Sequence, residues 1–334
     1  MPTPSSPATP PNPPDPEHPQ SPRHRQSPPD AQSPRHPQSS PDAQSPPNPP
    51  GPPEPRTAEG REGLSAFLGE PQRAAVVLDF DGTLAPLVAD PEQARAQPGT
   101  ARTLSRLAPL LRAVAVLTGR PAESAVRYSG LGDADGLDRL TVLGAYGAER
   151  WDAATRTVHA PDPPAGVAAV RAELPAVLAQ SAAPAGTRIE DKGRALAVHT
   201  RRTADPDAAL ALLRAPLHEL AERHGLTVEP GRMVLELRPP GVDKGTALDA
   251  YVREVDAGSV LYAGDDLGDL AAFAAVERLR AEGVPGVLVC SAGGGGENDA
   301  PVPELAARAD LLVDGPAGLL ALLDGLAEAA GAGA

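Results

Sequence analysis

The sequence has a single cysteine, Cys290, and only two lysines, Lys192 and Lys244, among its 30 basic residues. One cysteine excludes a disulfide framework and a zinc–cysteine cluster, and suits a reducing compartment. No run of 18 apolar residues occurs, so no transmembrane helix is expected. The N-terminus has no basic segment followed by an apolar stretch, so no secretory signal is expected either. These absences predict a cytoplasmic protein with no membrane partner. Positive charge is also scarce: 30 Lys and Arg stand against 44 Asp and Glu, a formal net charge of −14. So acidic a chain argues against nucleic acid as its main partner. It leaves room for a phosphorylated small molecule, because a few local cations or one metal ion override net charge within a site.

Apolar side chains are nearly absent from residues 1–55. That stretch has no Val, Ile, Leu or aromatic residue, and its only apolar residues are Met1, Ala8, Ala31 and Ala43, while it holds 22 of the 42 prolines. It cannot bury enough surface to offset chain entropy and is expected to be a disordered tail. Residues 20–31 read QSPRHRQSPPDA, residues 32–43 read QSPRHPQSSPDA, and residues 44–50 begin a third copy. A period this short and polar does not make a solenoid, and its proline density favours extended polyproline II segments. Two readings stay open: a docking ligand for a proline-binding module or a spacer, and a repeat that expanded without a specific partner. The remaining residues, 56–334, are ample for a large core.

Three segments in that body share one design, a short apolar run ending in polar groups, and a fourth places a lysine before a helix. Ala74–Leu78 runs into Asp79-Phe80-Asp81-Gly82-Thr83-Leu84. Residues two apart on an extended chain point the same way, so Asp79 and Asp81 can converge beyond the strand's carboxyl end, where ligands bind in open α/β sheets. An ordinary Asp-Gly turn explains Asp81-Gly82 but not a second carboxylate inside an apolar run. Val114–Leu117 runs into Thr118-Gly119-Arg120 and then a helix start, a setting for phosphate on a hydroxyl and free backbone N–H groups. Lys244 precedes an amphipathic helix through Leu248, Tyr251 and Val252, and a compact ammonium can reach a phosphate oxygen and a carboxylate together. Ser259–Ala263 runs into Gly264-Asp265-Asp266-Leu267-Gly268-Asp269, three carboxylates that repel one another unless a cation is present. Oxygen-only ligands at a strand end point to Mg²⁺.

DFDGTL at 79–84, LTGR at 117–120, Lys244 and GDDLGD at 264–269, in this order, resemble the haloacid dehalogenase-like (HAD) phosphatases. The resemblance spans roughly residues 72–325. Between the second and third motifs, the strand Thr141–Gly144 is expected to complete the core. Residues 150–239 then read as a separate unit: a helix over 165–180, strands over 187–190 and 195–200, a helix over 206–224 ending at Gly225, and strands over 226–229 and 233–238. Within it, RIEDKGRALAVH at 188–199 and MVLELRP at 233–239 are similar to the cap of trehalose-phosphatases, as is GAYGAE at 144–149 in the core. His199 reads as a packed strand residue. The expected architecture is α/β: a Rossmann-like parallel-sheet core over 56–149 and 240–334, an inserted α+β cap of the C2 type over 150–239, and the tail over 1–55. Gly293–Gly296 reads as a surface loop.

The resemblance implies Mg²⁺-dependent hydrolysis of trehalose 6-phosphate through an aspartyl-phosphate. It implies Asp79 as nucleophile and Asp81 as general acid and base. Thr118, Gly119 and Lys244 would bind the phosphoryl oxygens. Mg²⁺ would be held by Asp79, the Asp81 backbone carbonyl and Asp265, with Asp266 and Asp269 orienting water or Lys244. Glu190, Lys192 and Glu236 would face the sugar. The family often has His where this chain has Tyr146, and Thr-Asp-Glu where it has Gly268-Asp269-Leu270. The alternatives are a capped phosphatase for another sugar phosphate, of the sucrose or mannosylglycerate type, and a catalytically silent regulator of trehalose synthesis.

Overall fold

The runs AAVVL, AVAVL and LTVLG are apolar throughout rather than alternating, apart from one threonine, so both faces of any strand they form need cover. A parallel sheet with helices on each side provides it. A computed structural model describes residues 52–332 except 89, 232 and 294–300. The repeat tail up to residue 51 and the glycine run at 294–296 lie outside the described residues.

The strands are β1 (Ala74–Leu78), β2 (Ala113–Leu117), β3 (Leu140–Gly144), β4 (Glu149–Asp152), β5 (Thr157–His159), β6 (Arg188–Asp191), β7 (Leu196–His199), β8 (Thr227–Gly231), β9 (Val234–Arg238), β10 (Ser259–Gly264), β11 (Gly286–Ala292) and β12 (Leu311–Asp314). The helices are α1 (Ala58–Gly69), α2 (Thr100–Leu107), α3 (Ala122–Ser129), α4 (Ala165–Gln180), α5 (Pro206–Arg223), α6 (Lys244–Glu254), α7 (Leu270–Ala281), α8 (Pro303–Arg308) and α9 (Gly315–Ala332). Among the described residues, no helix is long and apolar enough to cross a membrane.

An eight-stranded sheet runs in the order β12-β11-β10-β1-β2-β3-β4-β5. All pairs from β12 to β3 are parallel. Side chains of β1 alternate between two cores. Ala74, Val76 and Leu78 pack with Phe67 of α1, Leu104 of α2, Ala125 of α3 and Leu323 of α9. Ala75 and Val77 pack with Tyr251 of α6, Phe273 of α7 and Leu305 of α8. Full burial of a Val or Leu is worth roughly 1.5–3 kcal/mol, so Val76, Val77 and Leu78 anchor the strand that leads into Asp79 firmly. The chain runs outward from β1 through β2 and β3, then returns to β10 on the other flank of β1. That reversal puts a crevice at the carboxyl end of β1.

A second sheet, β6-β7-β9-β8, is antiparallel. Leu196, Val198, Leu235 and Leu237 pack against Val170 and Leu174 of α4 and Leu213 and Leu217 of α5. Alternation then leaves the other face of the sheet free of helices. The helix and strand positions read from the sequence agree with these elements to within a residue or two.

Two expectations shift. β3 does not complete the large sheet, because β4 pairs antiparallel to it and β5 to β4. Residues 150–159 therefore belong to the larger sheet, where Trp151 is 5% exposed within the core, and the excursion to the second sheet starts after His159 instead of at 150. The tail also ends sooner than residue 55: Pro55 is buried, its carbonyl accepts from Arg61, and the next N–H, that of Arg56, bonds the Asp310 carbonyl at 2.9 Å.

Candidate active site

Asp79 continues the β1 ladder by donating its N–H to the Ala263 carbonyl at 2.9 Å, which aligns it beside the end of β10. Lys244 opens α6, whose N-cap Asp243 accepts from Thr246 N–H at 2.8 Å. An ammonium at a helix start opposes the helix dipole. Two carboxylates compensate: Lys244 Nζ donates to Asp79 Oδ1 and to Asp269 Oδ1, each at 2.6 Å. Burial alone would push the ammonium down, but Asp269 and Asp79 hold its pKa well above the ordinary value. Asp269 is fully buried and saturated. Its Oδ1 also accepts from the Tyr262 hydroxyl at 2.6 Å, and its Oδ2 takes the N–H groups of Asp265 and Asp266 at 3.0 and 3.1 Å. Asp269 thus braces Lys244 and the loop after β10. Asp266 caps that loop, accepting from Leu267 N–H at 2.7 Å.

Asp79, Asp265 and Asp269 place oxygens within 4.8 Å of one another. Burial pushes Asp79 up to about 7, with Asp269 and Asp81 adding to the rise and Lys244 opposing it. Burial, then Asp79, Asp269 and Asp266, drive Asp265 well above the carboxylate range. Three crowded carboxylates with one ammonium between them are short of positive charge, which a cation would supply. Since the oxygens of Asp269 are taken, the donors left are those of Asp79 and Asp265, a hard oxygen set suited to a divalent ion. A Cβ on Gly82 would lie 2.0 Å from Asp265 Oδ2, and Gly82 has φ +79°, so only glycine lets this turn approach so closely. Thr83 Oγ donates to Asp265 at 3.3 Å, and Ser291 Oγ donates to the Gly82 carbonyl at 2.8 Å.

The side chain of Asp81 turns to a different partner. Arg120 Nε and Nη2 donate to its two oxygens, both at 2.7 Å, in a bidentate fork. The guanidinium also lies 5.6 Å from the centre of the Phe80 ring and 5.2 Å from that of Tyr128. Thr118 is buried at the end of β2, and its Oγ accepts from Arg120 N–H at 3.1 Å. The sequence suggested free N–H groups for phosphate at the start of α3, but the first of them is taken: Ala122 N–H donates to Glu149 at 2.8 Å.

On the helix-free face of the second sheet, Glu190, Ala197, Glu236 and Glu229 form one rung across β6, β7, β9 and β8. Neighbouring cations balance these carboxylates. Lys192 Nζ donates to Glu236 Oε2, and the Tyr146 hydroxyl, from the loop after β3, donates to the same oxygen at 3.0 Å. His199 Nε2 lies 2.7 Å from Glu190 Oε2. Burial would raise Glu190, but the His199 hydrogen bond and the charges of Lys192 and Arg120 bring it below its ordinary value.

One cavity of about 610 Å³ is lined by Asp79, Asp81, Thr118, Gly119, Lys244, Asp265 and Asp266 from the large sheet's crevice, and by Glu190, Lys192 and Glu236 from the second sheet. Every candidate residue read from the sequence lines it except Asp269, which lies behind Lys244. Sequence reasoning passed over Arg120, Tyr262 and the pairing of His199. A tyrosine inside an apolar strand was a usable signal, since a buried phenol needs an acceptor. Arg120 and His199 left none, because their partners lie 39 and 9 residues away in the chain.

The family model described as trehalose-phosphatase matches residues 77–305. A probable trehalose-phosphate phosphatase of Sinorhizobium fredii is 35% identical over 229 residues, covering 66% of this chain and 81% of that protein. The trehalose-6-phosphate phosphatase of Escherichia coli is 32% identical over 206 residues, covering 60% and 73%. Among solved structures, the C-terminal domain of C. albicans trehalose-6-phosphate phosphatase aligns with a TM-score of 0.64 and 20% identity, over 83% of this chain and 99% of that one, a likeness of fold. With more than half of the chain inside the family match, the protein belongs to the trehalose-phosphatase family, phosphoric monoester hydrolases, and carries a haloacid dehalogenase-like fold.

Proposed function

We propose that this chain hydrolyses trehalose 6-phosphate to trehalose and phosphate through an aspartyl-phosphate on Asp79, with Mg²⁺ as cofactor. The observation that carries the reading is the single cavity that joins Asp79, Thr118 and Lys244 to Glu190, Lys192 and Glu236. The printed names of the relatives in S. fredii and E. coli support the substrate. Asp79 attacks phosphorus in line and the bond to the sugar oxygen breaks. Asp81 protonates that oxygen, then takes a proton from the water that attacks the aspartyl-phosphate and releases phosphate. It can do so only once one of its two bonds from Arg120 opens. Lys244, braced by Asp269, and Thr118 bind the phosphoryl oxygens. Mg²⁺, held by Asp79, Asp265 and the Asp81 backbone carbonyl, would offset negative charge on the transferring group. Residues 160–239 serve as the cap, and the rung of Glu190 and Glu236 with Lys192 offers acceptors and a donor to sugar hydroxyls.

A panel of sugar phosphates assayed with Mg²⁺ tests the substrate, and a different preferred ester would replace trehalose 6-phosphate in this scheme. The intact pair Asp79 and Asp81 favours the enzyme over a silent regulator, which has no need of the second carboxylate. Treatment with EDTA is expected to abolish turnover, and added Mg²⁺ to restore it and raise the melting temperature. Full activity in metal-free buffer would remove the metal from the scheme. Glu190→Ala is expected to lower kcat/KM on trehalose 6-phosphate by about tenfold to a hundredfold, the cost of one or two hydrogen bonds to a charged group, and to affect a small aryl phosphate far less. Equal losses on both substrates would count against recognition by the second sheet.

A further inference from the structure

Tyr146 occupies a costly backbone position. It has φ +57°, as does its neighbour Ala145 at +47°, both in the left-handed region that non-glycine residues rarely adopt. Such strain persists only where surrounding contacts enforce it. Here Ala145 N–H donates to the Arg120 carbonyl at 2.7 Å and Tyr146 N–H to the Thr118 carbonyl at 2.9 Å, pinning the turn onto the loop that carries Thr118. Gly119 makes room for the ring: a Cβ there would lie 2.6 Å from the Tyr146 Cζ and hydroxyl. Arg238 stacks over the ring at 4.4 Å. Burial pushes the phenol up to about 12, so it stays protonated and remains a donor.

That donor meets an unusual acceptor. Glu236 is 5% exposed. Its Oε2 receives both Lys192 and Tyr146, while its Oε1 is buried with no hydrogen-bond partner. A buried acceptor left unpaired is costly unless a ligand completes it. Glu236 lines the cavity. We infer that Tyr146 is a positioning residue for sugar recognition: donating from the large sheet, it works with Lys192 to hold Glu236 Oε2 and so leaves Oε1 for a sugar hydroxyl. The inference rests on the sugar-phosphate reading above. Because the bond crosses from one sheet's loop to the other sheet, the acceptor is set only while the two lie together.

The test uses the full-length protein and its Tyr146→Phe and Tyr146→His variants, with trehalose 6-phosphate and p-nitrophenyl phosphate as substrates. Tyr146→Phe is expected to raise KM for trehalose 6-phosphate about tenfold, the value of a lost hydrogen bond to a carboxylate, with a much smaller change in kcat. The loss in kcat/KM on the aryl phosphate should be several-fold smaller. Tyr146→His keeps a donor on the ring and should recover most of the lost affinity. Comparable losses on both substrates, or a His variant no better than Phe, would mark a merely structural role and overturn the inference. If wild-type protein does not prefer the sugar phosphate, the substrate reading fails and takes the inference with it. If wild type has that preference and Tyr146→Phe keeps all of it, the inference alone fails. Should Tyr146→Phe not fold, Tyr146→His decides: a KM near wild type supports the inference, and a tenfold rise overturns it.

Discussion

Asp79→Asn is expected to lower kcat for phosphate release by about 10⁴-fold or more, with the protein still folded. The amide is isosteric with the carboxylate, and its oxygen can still accept from Lys244, which donates to Asp79 Oδ1 at 2.6 Å. It cannot form the acyl phosphate, so the proposed pathway is lost rather than slowed. Stability should hold, because the substitution removes one charge from three crowded carboxylates and leaves Lys244 paired with Asp269. Phosphate release and a thermal melt on the same preparation check both halves. Turnover within tenfold of wild type would withdraw Asp79 as nucleophile. A large fall in melting temperature would show that the carboxylate's charge is needed to hold Lys244.

Asp269→Ala is expected to have the largest effect on stability. Asp269 is fully buried and accepts from Lys244, Tyr262 and two backbone N–H groups. Truncation strands a buried ammonium beside one remaining carboxylate and leaves a phenol and two amides without acceptors. Breaking a buried pair in this way costs about 3–5 kcal/mol, most of it the penalty of the uncompensated charge. For a folded body of this size that lowers the melting temperature by roughly 10 °C. Activity should fall as well, since Lys244 loses the group that aims it. Denaturant unfolding of wild type, Asp269→Ala and Asp269→Asn measures the effect. Asn retains an acceptor for Lys244 and Tyr262, so its loss should be smaller. A cost below about 1 kcal/mol for Ala would mean that water or Asp265 replaces Asp269, and that the brace is not needed.

The four motifs were legible because each is local. Asp79 and Asp81 are two residues apart on one extended segment, and Asp265, Asp266 and Asp269 occupy one turn after another apolar run. The second sheet's elements were legible for the same reason, since helical periodicity and alternation show within short windows. The large sheet was read too short. β4 and β5 carry Glu149, Arg150, Thr157 and His159, which do not look like strand core, and only pairing with β3 makes them strands.

Residue types and their spacing alone determined the chemistry available to this protein: carboxylates at strand ends and one lysine at a helix start, in the order of a known phosphatase family, and a tail too poor in apolar groups to form a core. Composition also singled out Lys192 and Lys244, whose side chains are 13% and 7% exposed and bridge to Glu236 and to Asp79 and Asp269. Only the tertiary structure decided which donors fill each carboxylate. Asp269, expected from the resemblance to orient water or Lys244, has its oxygens filled by Lys244, Tyr262 and two amides, while Asp265 faces the crowded crevice. Asp81 looked paired with Asp79, yet Arg120 takes it. Tyr146 looked like a simple departure from a family pattern, yet it reaches 90 residues along the chain to Glu236. The physical reason is common to all three: hydrogen-bond capacity is a property of a side chain, but which donors fill it depends on partners that only folding brings within 3 Å.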